Sequence, residues 1–185
     1  MTRIIAGLAG GRTIAVPSSG TRPTSDRVRE AIFSRVESWA DLTGSRVLDL
    51  FAGSGALGLE AASRGATRVD LVDNSDKAVA AMIANITTLR PTIPACEMRT
   101  HRVSVAAYLE SAAAEWDIVF IDPPYDDPNS LLERTLELLL PRLSSDALIA
   151  VERATRDAEP SWPTGYNVLT PKSYGETTVY WLSVA

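Results

Sequence analysis

With 185 residues, 45% of them hydrophobic and 22% charged, the chain has the length and composition of one soluble domain with a sizeable core. No apolar run approaches the length of a membrane span, and the N-terminus, Met1-Thr2-Arg3-Ile4-Ile5-Ala6-Gly7, has none of the extended apolar character of a secretory leader, so a cytoplasmic location with no membrane role is expected. A net charge of −5 argues against a general nucleic-acid binder, and one cysteine (Cys96) with one histidine (His101) rules out an internal disulfide and makes a poor metal set.

The charge is uneven. Residues 1–46 hold seven arginines (Arg3, Arg12, Arg22, Arg27, Arg29, Arg35, Arg46) against four acids (Asp26, Glu30, Glu37, Asp41), a net of +3, so the remainder carries −8. A basic N-terminal segment on an acidic body is either one binding edge or a scatter of solvated arginines.

In chain order, Arg3–Ala6 and Arg12–Val16 read as a hairpin around Gly7, Gly10 and Gly11. Pro17–Pro23 is a loop, after which Thr24, Ser25 or Asp26 can cap a helix with apolar face Val28, Ala31, Ile32, Val36 and Trp39. That spacing leaves Arg27, Arg29, Glu30 and Arg35 off the core side. Strand and helix then alternate: strand Val47–Phe51, helix Ala56–Arg64, strand Arg68–Val72 ending at Asp73, and helix Ser75–Leu89 with core face Ala78, Val79, Met82, Ile83 and Ile86. Strand Cys96–Val103, helix Ser104–Ala113, strand Asp117–Ile121, helix Ser130–Leu140 and strand Ala147–Val151 follow. Tyr166–Leu169 and Thr177–Leu182 are β-rich with no helix between them, and Ser173–Glu176 can turn a hairpin. The alternation predicts an α/β fold with a parallel sheet, right-handed crossovers and helices on both faces, closed by an antiparallel edge. Trp39, Trp116 and Trp181 read as core, Trp162 as partly exposed, His101 and Cys96 as packing or surface residues, and Asp126 and Asp127 as a turn.

The chain is organised around residues 45–58, a strand, a glycine turn and the start of a helix. Gly53-x-Gly55-x-x-Gly58 matches the dinucleotide fingerprint, with Asp73 placed as a ribose-binding acid 20 residues after Gly53. Asp49 argues otherwise. It stands at the carboxyl end of the first strand of the unit, where a carboxylate would repel a pyrophosphate. At ~4 Å and an effective dielectric near 20, one such contact is worth about 4 kcal/mol. The same carboxylate suits an ammonium or sulfonium group, and S-adenosylmethionine has both and no phosphate. Asp73 can accept from two ribose hydroxyls in either case.

A second signal, Asp122-Pro123-Pro124-Tyr125, directly follows a strand apolar on both faces. The prolines remove two N–H donors and stiffen the backbone. An exocyclic amine on a nucleobase is a poor nucleophile because its lone pair is delocalised into the ring. The Asp122 carboxylate and the Pro123 carbonyl can each accept one amino hydrogen and favour a pyramidal nitrogen, while Tyr125 can stack on the base.

Asp49-x-Phe51-x-Gly53-x-Gly55 followed by Asp122-Pro-Pro-Tyr125 resembles the amino-group methyltransferases that use S-adenosylmethionine. Arg3-Ile-Ile-Ala-Gly7, Gly11-Arg12 and Thr21-Arg-Pro-Thr-x-Asp26-Arg-Val-Arg-Glu-Ala-Ile-Phe33, together with Leu48–Gly65, narrow the resemblance to the bacterial 16S rRNA guanine-N2 methyltransferases of the small ribosomal subunit. It covers nearly the whole chain. It implies a Rossmann-like class I methyltransferase with a seven-stranded, mostly parallel sheet and a reversed last hairpin. It also implies an N-terminal hairpin-plus-helix extension (1–40) facing RNA on the same core as a catalytic domain (41–185). The implied activity is methyl transfer from S-adenosylmethionine, without metal, to the N2 amine of a guanine in 16S rRNA within an assembling small subunit, by a monomer.

By the same resemblance, Asp122, Pro123, Pro124 and Tyr125 surround the target guanine. Arg22, Thr24, Asp49, Phe51, Ala52, Gly53, Ser54, Gly55, Asp73, Asn74 and Ser104 surround the cofactor. Arg3, Arg12, Arg27 and Arg29 meet RNA phosphates. Two places depart from the family pattern: Ser104 stands where Asp or Asn is usual after the third strand of the parallel unit, and Leu8 and Gly10 stand where basic residues are common. The alternatives are a DNA adenine methyltransferase, a nicotinamide oxidoreductase and a non-catalytic RNA-binding module.

Overall fold

A computed structural model describes residues 2–17, 24–124 and 129–185. The N-terminal hairpin is short, β1 (Thr2–Arg3) against β2 (Thr13–Ile14), and is followed by α1 (Asp26–Trp39). The alternating unit then runs β3 (Arg46–Leu50), α2 (Ala56–Ser63), β4 (Arg68–Asp73), α3 (Asp76–Leu89), β5 (Glu97–Arg102), α4 (Val105–Ser111), β6 (Trp116–Ile121), α5 (Asn129–Leu139) and β7 (Leu143–Ala154). The chain ends in β8 (Tyr166–Val168), β9 (Lys172–Tyr174) and β10 (Thr177–Val184).

The main sheet has the order β5-β4-β3-β6-β7-β10-β8, with β9 also on β10. Pairs among β5, β4, β3, β6 and β7 are parallel, and those made by β10 are antiparallel. The eight strands occupy seven positions, because β8 pairs with residues 182–184 of β10 and β9 with residues 177–179 on the same side. Each central strand feeds both faces, as a parallel sheet covered on both sides requires. Val47, Val69, Ile118, Phe120 and Ala150 pack with Ile32, Phe33, Leu59 and Met82 of α1, α2 and α3. Leu48, Leu50, Val119, Ile121 and Ile149 pack with Tyr108, Leu109, Leu132 and Leu136 of α4 and α5. No helix among the described residues is long and apolar enough to cross a membrane.

The N-terminal segment is built onto the sheet rather than hung from it. Ile4, Ala9 and Ile14 join the cluster under α1 and α2. Glu60 of α2, fully buried, accepts the Ile5 and Ala6 N–H groups at 2.7 and 3.0 Å. Ser63 accepts from Ala9 N–H at 2.9 Å and donates to the Ala6 carbonyl at 2.6 Å.

Three packing expectations are corrected. Arg29 lies on the buried side of α1 with no exposure, because its guanidinium reaches Asp26 (2.7 Å), the Arg3 carbonyl and the edge of Glu60 (3.9 Å). Ile83 is 52% exposed, and Asn85 takes the inward position on α3. Trp39 is 42% exposed, edge-on to buried Trp181 with the Arg35 guanidinium over its ring. His101 serves packing: with Arg68 and Trp116 it surrounds Asp70, buried within β4. Burial opposes ionisation there, but the hydrogen bonds from His101, Arg68 and Trp116 prevail and hold the carboxyl at about 2.

Candidate active site

The order of the sheet reverses between β3 and β6. From β3 the chain moves outward through β4 to β5, and β6 then returns to the other flank of β3. Helices leave such a switch point in opposite directions and open a crevice at the carboxyl ends of the two strands. Four acids stand at carboxyl ends near it: Asp49 in β3, Asp73 closing β4, Asp122 just after β6 and Glu152 in β7. The register sets them side by side, Leu50 opposite Ile121 and Ile121 opposite Val151.

The glycine turn is held by two of these acids. Asp49 is 1% exposed, and its Oδ2 accepts the Gly58 N–H at 2.8 Å. Asp73 accepts the Gly53 N–H at 3.0 Å on Oδ2 and the Ser75 N–H at 2.9 Å on Oδ1. Both N–H groups that a pyrophosphate would seek here are therefore engaged by carboxylates. Gly58 lies so close to the sheet that a Cβ would fall 2.4 Å from Leu71 Cδ2 and 3.2 Å from Asp49 Cβ. Phe51, at φ 59°, takes a left-handed conformation as the chain leaves β3, a local strain of about 1–3 kcal/mol that the surrounding structure must hold. A Cβ on Gly53 would meet nothing within 4 Å, so the turn is open on that side. Ala52 is half-buried, Ser54 buried, Asn74 exposed, and Ser104 caps α4 by accepting from Ala107 N–H at 3.2 Å.

Asp122 and Glu152 form the other half of the crevice. Glu152 is 5% exposed. The Thr24 hydroxyl lies between them, 3.4 Å from Asp122 Oδ2 and 3.4 and 3.3 Å from the two Glu152 oxygens. Burial pushes the Asp122 carboxyl up to about 6, with the Thr24 hydroxyl opposing. Burial and then the Asp122 charge raise Glu152 well above the usual range. Burial likewise raises Asp49 against the Gly58 hydrogen bond, and Asp122 and Asp73 add to it. Acids that raise one another in this way share an environment short of positive charge. A pyrophosphate would worsen it and a cationic ligand would relieve it. The open glycine turn, the two free lone-pair directions on Asp73 and this negative field fit S-adenosylmethionine, with Asp73 for the ribose and the crevice for the charged methionine end.

Sequence reasoning did not reach Glu152, Asn85 or the role of Glu60. The apolar run ending at Val151 marked a strand end, whereas β7 continues to Ala154. An acid directly after an apolar strand was nonetheless the signal already used for Asp73 and Asp122, and it also applies to Glu152. Asn85 is 2% exposed; it exchanges two hydrogen bonds with Ala15 (2.7 and 2.9 Å) and donates to the Ser54 carbonyl at 2.9 Å, tying the hairpin exit to the glycine turn.

Of the arginines expected at RNA, Arg3, Arg12 and Arg27 are exposed, Arg3 pairing with Asp26 at 3.6 Å. Arg29 is corrected: a buried guanidinium held by Asp26 and a backbone carbonyl presents no donors to a phosphate. Leu8 is 67% exposed on the hairpin. Pro123 is buried and Pro124 exposed, while Tyr125, Asp126, Asp127 and Arg22 lie outside the described residues.

Comparisons with known proteins place the chain in a family and agree with its fold. The model of the family described as "Conserved hypothetical protein 95" matches residues 2–183. Ribosomal RNA small subunit methyltransferase D of Escherichia coli (strain K12) is 38% identical over 178 residues, 94% of this chain and 85% of that protein. The protein of the same name from Haemophilus influenzae is 36% identical over 177 residues, 94% of this chain and 89% of that one. Among solved structures, yhhF from Escherichia coli superposes with a TM-score of 0.85 at 34% identity, over 99% of this chain and 97% of that one. A magnesium protoporphyrin IX methyltransferase from Synechocystis PCC 6803, solved with bound SAM, shares the fold at a TM-score of 0.67 and 14% identity, over 90% of this chain and 87% of that one.

Proposed function

Since the chain belongs to the Conserved hypothetical protein 95 family, we propose that it transfers a methyl group from S-adenosylmethionine to the exocyclic N2 amine of a guanine in 16S rRNA of the small ribosomal subunit. The carrying observation is the junction of β3 and β6, which brings the glycine turn of Asp49 beside Asp122-Pro123-Pro124. The names of the relatives support the rRNA substrate. The substrate is an assembling subunit, and the enzyme acts as a cytoplasmic monomer. Residues 1–40 form the RNA-facing extension and 41–185 the catalytic part.

When bound, S-adenosylmethionine supplies an electrophilic methyl on a sulfonium whose sulfur takes the electron pair of the broken bond. The chain does the rest by position and charge. Asp73 accepts from the ribose hydroxyls, and Asn74 and Ser104 border the adenine. Phe51, Ala52, Gly53, Ser54 and Gly55 form the wall along the methionine portion, with Asp49 bracing it from beneath. Thr24 closes it from the side of α1, and the family resemblance assigns Arg22 to the cofactor as well. Asp122 accepts one N2 hydrogen and the Pro123 carbonyl the other, so that the nitrogen lone pair points at the methyl. As the N–C bond forms, the amine sheds one proton, and Asp122, held at about 6, is a base suited to receive it near neutral pH. Tyr125 stacks on the base. Arg3, Arg12 and Arg27 meet RNA phosphates.

The test is transfer of radiolabel from S-adenosylmethionine to small-subunit particles from cells lacking this protein, followed by digestion to nucleosides. Label in N2-methylguanosine, abolished by Asp122→Ala, is the expected result. Label in duplex DNA, tight NADH binding, or RNA binding with a flat S-adenosylmethionine calorimetric trace would each replace this reading with an alternative named above.

A further inference from the structure

Glu152 has no task in that mechanism, yet it stands beside the reacting edge. The parallel register of β6 and β7 seats it next to Asp122. It is 5% exposed, and among the described residues its partner is the Thr24 hydroxyl, at 3.3 and 3.4 Å from its two oxygens. That hydroxyl has one proton to donate and also faces Asp122 at 3.4 Å. Among the described residues this buried carboxylate keeps acceptor capacity in reserve, which is costly unless a ligand brings donors to it. Its chain neighbour Arg153 does not answer the need, as it turns to Asn129 at 3.2 Å and Asp157 at 3.7 Å.

The chemistry of the base says which donor fits. In adenine and in cytosine the Watson–Crick edge next to the exocyclic amine carries a ring nitrogen lone pair. In guanine it carries the N1–H. A second carboxylate beside the one that accepts the amine therefore meets a donor only when the base is guanine; with the others, lone pair faces lone pair. Building on the guanine-N2 reading, we propose that Glu152 accepts the N1–H of the target guanine while Asp122 accepts an N2–H, which makes Glu152 the residue that selects guanine over other amino-bearing bases. Sites built to take a hydrogen bond from a substrate reject analogues lacking it, because the buried acceptor is left unpaired.

The experiment uses 2-aminopurine, which keeps the 2-amine but has a lone pair at N1. Once the labelled nucleotide is mapped, small-subunit particles are reassembled on rRNA bearing guanine or 2-aminopurine at that position. The enzyme and its Glu152→Gln and Glu152→Ala variants are then compared on both. The wild type is expected to prefer guanine by at least about 100-fold in kcat/KM, Glu152→Ala to lose activity on guanine until the preference falls below about tenfold, and Glu152→Gln, whose amide oxygen still accepts the N1–H, to fall between them. The KM for S-adenosylmethionine should stay within about twofold, as Glu152 does not contact it. A purely structural role would depress both substrates equally and leave the ratio intact. Retention of the wild-type ratio by Glu152→Ala, with the KM for S-adenosylmethionine and turnover of 2-aminopurine showing that the variant is folded, overturns the proposal while the guanine-N2 reading stands. Failure of the wild type to methylate guanosine in unmodified particles overturns both.

Discussion

Asp122→Asn should disable the enzyme and stabilise it at once. The carboxyl is held at about 6 against an ordinary 3.8, chiefly by burial. An acid whose pKa is raised by folding binds more protons in the folded than in the unfolded state between those two values. Stability therefore falls as pH rises through this window. The penalty is absent below about pH 4 and complete above about pH 7. At about 1.4 kcal/mol per pKa unit, the ionised Asp122 costs the free protein about 3 kcal/mol at neutral pH. Asparagine has the same shape, keeps an oxygen for the Thr24 hydroxyl and carries no charge. For a domain of this size, 1 kcal/mol moves Tm by about 2–4 °C, so the variant should melt about 6–12 °C higher than wild type at pH 8. At pH 4.5 the difference should largely close. Methyl transfer should fall by about 10²–10³-fold at neutral pH and above, since a charged acceptor aimed at the amine is gone, and by less as pH drops below about 6, where the wild-type carboxyl is itself protonated. Thermal melts of the free protein by circular dichroism at both pH values, with the radiolabel assay alongside, measure all of this. A variant no more stable than wild type at pH 8, or a gain that does not change with pH, would refute the claim that the site holds a strained carboxylate.

Three further outcomes follow from the same geometry. Glu60→Ala removes the acceptor of the Ile5 and Ala6 N–H groups and the buried partner of Arg64 at 2.8 Å, and should lower stability by about 3–5 kcal/mol in urea unfolding; a loss below about 1 kcal/mol would mean that the hairpin is not anchored there. Gly58→Ala drives a methyl into Leu71 and Asp49, and should cost about 1–3 kcal/mol of stability and weaken S-adenosylmethionine binding in calorimetry; unchanged binding would detach Asp49 from the cofactor pocket. Arg12→Ala should weaken RNA binding and reduce the slope of log K against log salt by about one, whereas Arg29→Ala should leave that slope unchanged and lower Tm, and a reversal of the two would restore Arg29 to the RNA surface.

What could be read from the sequence is what short stretches encode by themselves. The strand, glycine turn and helix at 45–58, the acid closing the next strand, and Asp122-Pro123-Pro124 after an apolar run are each contained within about a dozen residues. Periodicity and turn chemistry specify such units locally. The α/β class followed from the alternation of these units. The tertiary structure decided what lies beside what. Thr24 reaches Asp122 and Glu152 across 98 and 128 residues, and Asn85 reaches Ala15 across 70. No local pattern carries those separations; they arise from strand order and register, set by burial of both sheet faces at once. For the same reason Arg29 was misjudged. Helical spacing identifies an apolar face, but the acceptor set that lets a guanidinium go inside came from Asp26 on its own helix and from Arg3 and Glu60 on other elements. The sequence by itself thus determined a glycine turn and an amine-activating motif, and the packing of β3, β6 and β7 determined that the two stand side by side, with a fourth acid, Glu152, flanking Asp122.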